Sequence, residues 1–291
     1  MEWSDRMNAA IGYIEDNLAG ETDVIVMADK ACCSVFHFQR MFFAILGLTP
    51  AEYIRRRKLT LAARDITSSD TRIIDIAVKY GYTSPVSFAR AFRNVHGINP
   101  RAARKPGVKL SAFPRISFSI TLKGGVEMDY RMIEKPAFEI MARSRRFSMV
   151  GGQNFIEIPK FWDEYMQTPE YQEMCSIAGD KPGKITGGGC LGICYNESEN
   201  GEQFSYGIGI EIPSGAAASK FETIPVPAAF WAVFDCTLRT IQDVTKRIFS
   251  EWFPSTGYEH ANVPELEVYF SENPQTKEIP CQIWIPVVKK N

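Results

Sequence analysis

Histidine is scarce in this chain. Three residues in 291, His37, His96 and His260, stand far apart, and none of the seven cysteines joins a C-x-x-C pair. A structural zinc site draws its ligands from closely spaced sets of these residues, so no zinc site and no cofactor are expected. The neighbouring Cys32 and Cys33 read as small reduced thiols in a helix–helix turn. No run approaches the roughly 18 apolar residues that cross a bilayer. The opening stretch, MEWSDRMNAAIGYIEDNL, is acidic and amphipathic, unlike the basic, then apolar start of a signal peptide. A cytoplasmic protein with no membrane partner is expected. The glycines at 187–189 lack the Lys-Ser/Thr of a phosphate loop and read as a turn. With one histidine beyond residue 107, no Ser-His-Asp or Cys-His arrangement suggests itself there.

Charge is unevenly spread. Residues 30–107 carry 14 Lys/Arg against 4 Asp/Glu, residues 1–29 carry 1 against 7, and residues 108–291 carry 18 against 23. A basic block between acidic ones points to a polyanion partner, most simply nucleic acid.

Up to about residue 104 the periodicity is helical. Met7, Ala10, Ile11, Ile14 and Leu18 form a buried-face stripe, and further helices are predicted near 24–31, 34–45, 50–65, 73–79 and 84–96. ARKPGVKLSAFP (103–114) then reads as a linker, and the pattern turns to alternation. Ile116–Leu122 and Val126–Met132 predict a hairpin across KGG (123–125). Strands are also expected at 137–147, 187–196, 204–213, 221–236, 264–271 and 281–288, with helices at 157–175 and 239–253. The order strand, helix, strand, strand occurs twice. The expected fold is therefore two domains. An all-α double helix-turn-helix domain (1–107) and a linker (108–115) precede an α+β domain (116–291) of two β-α-β-β repeats with an antiparallel sheet.

A short skeleton recurs fifty positions apart. SVFHFQRMFFAILGLTP (34–50) and SPVSFARAFRNVHGINP (84–100) share Ser34/Ser84, Phe38/Phe88, Arg40/Arg90, Phe42/Phe92, Gly47/Gly97 and Pro50/Pro100. Each follows a short apolar helix, with Ala28 or Ala77 where two helices cross closely. The phenylalanines, one turn apart, face the core, and the arginines point elsewhere. FHFQRMFFAILGLTPAEYIRRRKLTLAARDI (36–66) and IIDIAVKYGYTSPVSFARAFRNVHGINPRAAR (73–104) resemble the DNA-binding domain of AraC/XylS transcription regulators. The departures are CCS in the first turn, and Pro85 and Val86 where some members carry polar base readers.

The resemblance implies two recognition helices in successive major grooves of an operator or promoter. Val35, Phe36, Gln39, Arg40, Thr83, Ser87 and Arg90 are the candidate base contacts, since Gln suits adenine, Arg suits guanine and apolar groups suit the thymine methyl. Ser34, Arg55, Arg57, Ser84, Arg93, Arg101 and Arg104 are the candidate phosphate contacts. Arg55–Lys58 surround a helix turn, so some of them must form internal ion pairs instead. RNA polymerase is a further partner such regulators imply.

In PELEVYFSE (264–272), Glu265, Glu267 and Tyr269 share one strand face. Superposing the repeats on Tyr195 and Tyr269 puts Glu267 opposite Ile193, which singles out Glu267 as a carboxylate without a counterpart. A solvated Glu on an exposed strand is the plain alternative. IPKFWDEY (158–165), EWFPSTGYE (251–259), LEVYF (266–270) and IWIPV (283–287) resemble the GyrI-like effector-binding domain of multidrug-sensing regulators. That resemblance implies a ligand cleft where the two halves join, with Glu267 as its key polar group. Tyr269, Trp162, Tyr195 and Trp284 are the aromatic wall candidates, and a small amphipathic or cationic effector is expected. The alternative is a GyrI-like hydrolase or drug-sequestering protein, with Glu267 as general base on a reactive small molecule. The fused DNA-binding segment favours a sensor over an enzyme.

Overall fold

The computed structural model describes residues 3–119, 127–178, 183–187, 189–195, 202–213, 220–270 and 279–289, without the side chain of Phe36. Its helical part follows the sequence pattern closely: α1 (Trp3–Asp16), α2 (Val24–Lys30), α3 (Val35–Leu46), α4 (Pro50–Ser68), α5 (Ile73–Lys79) and α6 (Pro85–His96). By contacts the chain forms two compact units. One is Met1–Val35 with Pro50–Thr121, and the other is Phe36–Thr49 with Leu122–Asn291.

In the first unit, local chemistry sets the helix ends. The Asp23 carboxylate accepts from Ile25 N at 2.8 Å, which starts α2. Ser84 caps α6, Pro85 occupies its first turn, and Gly97 closes it at φ 75°. Met7, Ala10, Ile11 and Ile14 bury the predicted stripe of α1. Leu59, Ala62 and Ile66 of α4, Ile76 and Ala77 of α5, and Phe88 and Phe92 of α6 form one core cluster.

Of the predicted hairpin, only the outer residues are described. Residues 116–119 and 127–130 adopt no strand, and 120–126 lie outside the described residues. The backbone from Phe113 to Phe118 instead bonds to helix side chains. Phe113 N donates to Thr60 Oγ1 at 3.0 Å, Ile116 N to Tyr53 Oη at 3.3 Å and Phe118 N to Asn8 Oδ1 at 2.8 Å. An extended strap shows the same alternation as a strand but satisfies its amides on side chains. Much of the predicted linker is thus packed structure, with Ala103 buried and Leu110 against the helical core.

The second unit is built on one antiparallel sheet. Its strands are β1 (Arg131–Lys135), β2 (Phe138–Ser148), β3 (Cys190–Tyr195), β4 (Gln203–Glu211), β5 (Glu222–Val226), β6 (Ala229–Thr237), β7 (Tyr258–His260), β8 (Glu265–Tyr269) and β9 (Pro280–Lys289). They run in the order β1-β6-β9-β8-β3-β4-β2-β5, with β7 added beside β9. The order reads alike from both edges. β2, β3 and β4 answer to β6, β8 and β9, while β5 and β1 each join the first strand of the other repeat. The central seam is the β3–β8 pair, where Gly192 faces Glu267 and Ile193 faces Leu266. The predicted helix at 157–175 is two, α7 (Asn154–Met166) and α8 (Pro169–Ala178). The predicted 239–253 helix begins as α9 (Ile241–Arg247), widens to a π turn at Ile248–Trp252 and ends in a turn at Phe253–Ser255.

Register divides the side chains between the two faces. Leu191, Ile193, Leu266, Val268, Trp231, Val233 and Trp284 belong to one core cluster. Phe161 and Tyr165 of α7 and Met174 of α8 pack with Cys194, Phe204, Tyr206 and Ile208 on the other face. Glu265, Glu267 and Tyr269 share that second face by alternation along β8. No helix among the described residues is long and apolar enough to cross a membrane.

Candidate functional site

Glu267 stands at the centre of the seam. Its Oε2 accepts hydrogen bonds from Tyr206 Oη at 2.6 Å and Tyr269 Oη at 2.8 Å. Trp162 Nε1 donates to Tyr206 Oη at 3.0 Å, and the Trp162 ring meets Tyr269 edge-on at 5.3 Å. Directly across the ladder is Gly192. A β-carbon there would come within 2.1 Å of Tyr206 Oη and 2.7 Å of Glu267 Oε2, so only glycine leaves room for this pair. Burial raises the Glu267 pKa above the ordinary carboxylate range, opposed by the two tyrosine donors and the charge of Arg40.

Three of the five predicted effector residues, Glu267, Tyr269 and Trp162, therefore come together. The other two do not. Trp284 pairs with Leu266 across the ladder and packs on Trp231 in the opposite-face core. Tyr195 follows the parity of Leu191 and Ile193; its hydroxyl donates to Glu222 Oε1 at 2.7 Å and lies 2.8 Å from Ser144 Oγ, which can donate to it. Aligning Tyr195 with Tyr269 was out of step by one residue, and a one-residue slip turns every side chain to the other face. Glu267 lies across from Gly192, not Ile193. Tyr206 takes the place expected for Tyr195, a role its position in a neighbouring strand could not reveal before the register was known.

A second carboxylate lies two residues away on the same face. Glu265 is 5% exposed. Arg40 of α3 holds it through Nε, 3.1 Å from Oε1, and through Nη2 on Oε2. His260 Nε2 lies 3.0 Å from Oε1. Burial alone would raise this carboxyl, but Arg40 and His260 outweigh it and hold its pKa at about 2. The Arg40 guanidinium also sits 5.8 Å over the Phe249 ring. Around it, His37 meets Phe253 edge-on at 4.6 Å, and Phe43 stacks on Phe155 at 5.7 Å. The alternation E-L-E-V-Y already put Glu265 beside Glu267; nothing in the sequence paired it with a residue 225 positions away.

The candidate DNA contacts fare unequally in this state. Arg40 is engaged as described, Gln39 is only 2% exposed, and the side chain of Phe36 lies outside the described residues. Val35 is half-buried and Ser34 is exposed. On α6 the outward face is open, with Val86 exposed and Pro85, Ala89, Arg90, Arg93 and Asn94 lining one shallow depression. Thr83, Arg90, Arg93 and Arg101 are exposed. The Ser84 hydroxyl caps α6, and Ser87 Oγ donates back to Ser84 O at 2.7 Å. Arg57 is corrected outright. Its Nε and Nη2 bind both Glu15 oxygens at 2.8 and 2.7 Å and its Nη1 donates to Phe113 O, so it is an internal clamp and not a phosphate contact. Arg104 donates to Thr71 O, while Arg55 remains half-buried on α4.

A helical region with two recognition-type helices, each ended by a left-handed glycine, joined to a two-fold sheet around a buried carboxylate, defines a DNA-binding regulator with a small-molecule-binding domain. Comparison with known proteins agrees. Residues 128–288 match the GyrI-like small molecule binding domain and residues 27–106 a helix-turn-helix domain of AraC type, and the chain belongs to these families. The HTH-type transcriptional activator AarP of Providencia stuartii is 37% identical over 92 residues, 32% of this chain and 68% of that protein. The regulatory protein SoxS of Salmonella typhimurium is 37% identical over 83 residues, 28% of this chain and 78% of that protein. The structure of SAV2435 bound to tetraphenylphosphonium is 19% identical, with a TM-score of 0.46, over 55% of this chain and 94% of that one.

Proposed function

We propose that this regulator senses a lipophilic cation through Glu267 and transmits its binding to operator recognition. The observation that carries the reading is a buried carboxylate held by two tyrosine hydroxyls beside a tryptophan ring. A cation placed there gains charge pairing and ring contacts, and it offsets the burial that opposes ionisation of Glu267. On the DNA side, Arg90 and Thr83 are the base-reading candidates of the second unit, with Arg93 and Arg101 on phosphates. Arg40, Gln39, Val35 and Phe36 are the readers of the first unit in its DNA-bound state, and Ser34, Ser84, Arg55 and Arg104 complete the phosphate set. The helix-turn-helix domain corresponds to 1–107 and the sensor to 116–291, and the site of action is the cytoplasm, with RNA polymerase as the downstream partner.

Calorimetry of the full chain with tetraphenylphosphonium, a bulky aromatic monocation, tests the sensor. Glu267→Gln keeps the tyrosine hydrogen bonds and removes the charge, and it is expected to weaken binding at least tenfold, about 1.4 kcal/mol. Equal affinity would remove Glu267 from recognition. Mass spectrometry of the same mixture is expected to return the probe intact; a hydrolysed small molecule in a wider screen would favour the enzymatic alternative.

A further inference from the structure

Helix α3 sits on the sensor's carboxylate seam as a ligand would. Arg40 brings a planar cation onto Glu265, and its charge also acts on Glu267 two residues along the same strand face. Phe249 lies beneath the guanidinium, Phe43 stacks on Phe155, and His37 meets Phe253 edge-on. Charge, aromatic support and burial are the features a cationic effector would require of this site. The helix that supplies them is also one of the two recognition helices.

We infer that α3 is an internal occupant of the sensor, with Arg40 standing in for the effector cation, so that effector binding and α3's use on DNA are coupled through competition for one arginine. The inference rests on the cation-sensing reading above. Its logic is donor counting. In the structure the Nε and Nη2 edge of Arg40 is committed to Glu265. A guanidinium fork cannot make its paired bonds to a carboxylate and to a guanine edge with the same donors. While Arg40 is docked, the first recognition unit has no arginine for bases. A cation that takes the seam frees it. By reciprocity, DNA that takes Arg40 opens the seam to the cation, so the two ligands reinforce each other's binding.

This coupling differs from an ordinary structural ion pair in one measurable respect. A structural pair, when broken, does not improve ligand affinity. An internal competitor lowers apparent affinity by the fraction of molecules in which the site is free. Removing Arg40 should therefore tighten cation binding.

The test uses the full chain, with tetraphenylphosphonium as probe. Calorimetry is expected to give Arg40→Ala about tenfold tighter binding than the wild type, with Arg40→Lys between them, because one ammonium replaces a two-point fork. Hydrogen exchange supplies a second readout. Amides of 36–46 are expected to exchange faster in the wild type once the probe is added. They should exchange at that faster rate without the probe in both Arg40→Ala and Glu265→Gln. Near-UV circular dichroism establishes that each variant is folded, and Glu265→Gln carries the exchange test if Arg40→Ala is not. Probe binding with equal affinity in the wild type and Arg40→Ala, and unchanged exchange over 36–46, would overturn the internal-occupant inference and leave cation sensing intact. Absence of probe binding in the wild type and every variant would overturn cation sensing and this coupling with it.

Discussion

Helices α3 and α6 carry the same skeleton and lead different lives. Phe38 and Phe42 are fully buried with ring centroids 5.6 Å apart and 54° between planes; Phe88 and Phe92 are fully buried at 5.7 Å and 51°. Gly47 and Gly97 end the two helices at φ 66° and 75°. The two scaffolds thus repeat the same ring pair and the same left-handed stop. The other faces diverge. Arg90 is exposed, whereas Arg40, at the matching place, is bound to Glu265. Ala89 and Ser87 of α6 are answered in α3 by Gln39 and His37, both buried. Shared apolar positions specify a helix-turn-helix unit, and the intervening positions decide what that unit is available to do.

The first way to probe the comparison is to attack what the helices share. Phe42→Ala and Phe92→Ala should each cost roughly 3–5 kcal/mol, because each removes a fully buried ring from a packed core. Urea unfolding of the two variants checks this, and a cost below 1 kcal/mol for either would show that its scaffold is not equivalent to the other's.

The next largest effect targets what they do not share. Arg90→Ala removes an exposed side chain and should change stability by less than about 0.5 kcal/mol. It should also weaken DNA binding and lessen its salt dependence. Arg40→Ala leaves Glu265 buried with His260 alone, and about 3 kcal/mol is expected to be lost at neutral pH. The pH profile identifies the source. Glu265 falls from an ordinary 4.5 to about 2 in the folded chain, so its contribution is complete above about 4.5 and is lost as pH drops toward 2. Arg40→Ala should flatten that part of the stability–pH curve, while Arg90→Ala should leave it as in the wild type.

Most of the helical unit was legible in the sequence because its signals are local. The Ser84 cap, Pro85, Gly97 and the paired phenylalanines lie within thirteen residues of one another. The strands were legible as elements, but the match between the two repeats was not, because setting Tyr195 against Tyr269 misplaces them by one residue. That single step put Tyr195 on the wrong face; Trp284, named from the resemblance alone, shares the face of Leu266, its partner across the ladder, while Trp162, Glu267 and Tyr269 come together. The strap at 113–118 was misread because an extended segment laid over helices alternates like a strand. The Arg40–Glu265 pair was out of reach for a different reason. A charge's partner is set by the fold, and no periodicity carries it.

The smallest effect concerns the turn that precedes each helix. Cys33 N bonds Ala28 O at 3.1 Å in the first copy, and Tyr82 N bonds Ala77 O at 2.9 Å in the second. The residue just before each donor is left-handed: Cys32 at φ 53° and Gly81 at φ 84°. Cys32 is the one non-glycine residue with positive φ among the described residues, at the place where the CCS stretch departs from the usual turn. A β-carbon in that region costs roughly 1–2 kcal/mol, whereas a glycine loses roughly 0.5–1 kcal/mol more backbone entropy on folding. The strain outweighs the entropy, so Cys32→Gly should stabilise the chain by about 0.5 kcal/mol, and Gly81→Ala should destabilise it by about 1 kcal/mol. Differential scanning calorimetry of both variants decides the matter, and a fall in Tm for Cys32→Gly would mean that the first turn has found a way to hold its side chain without strain.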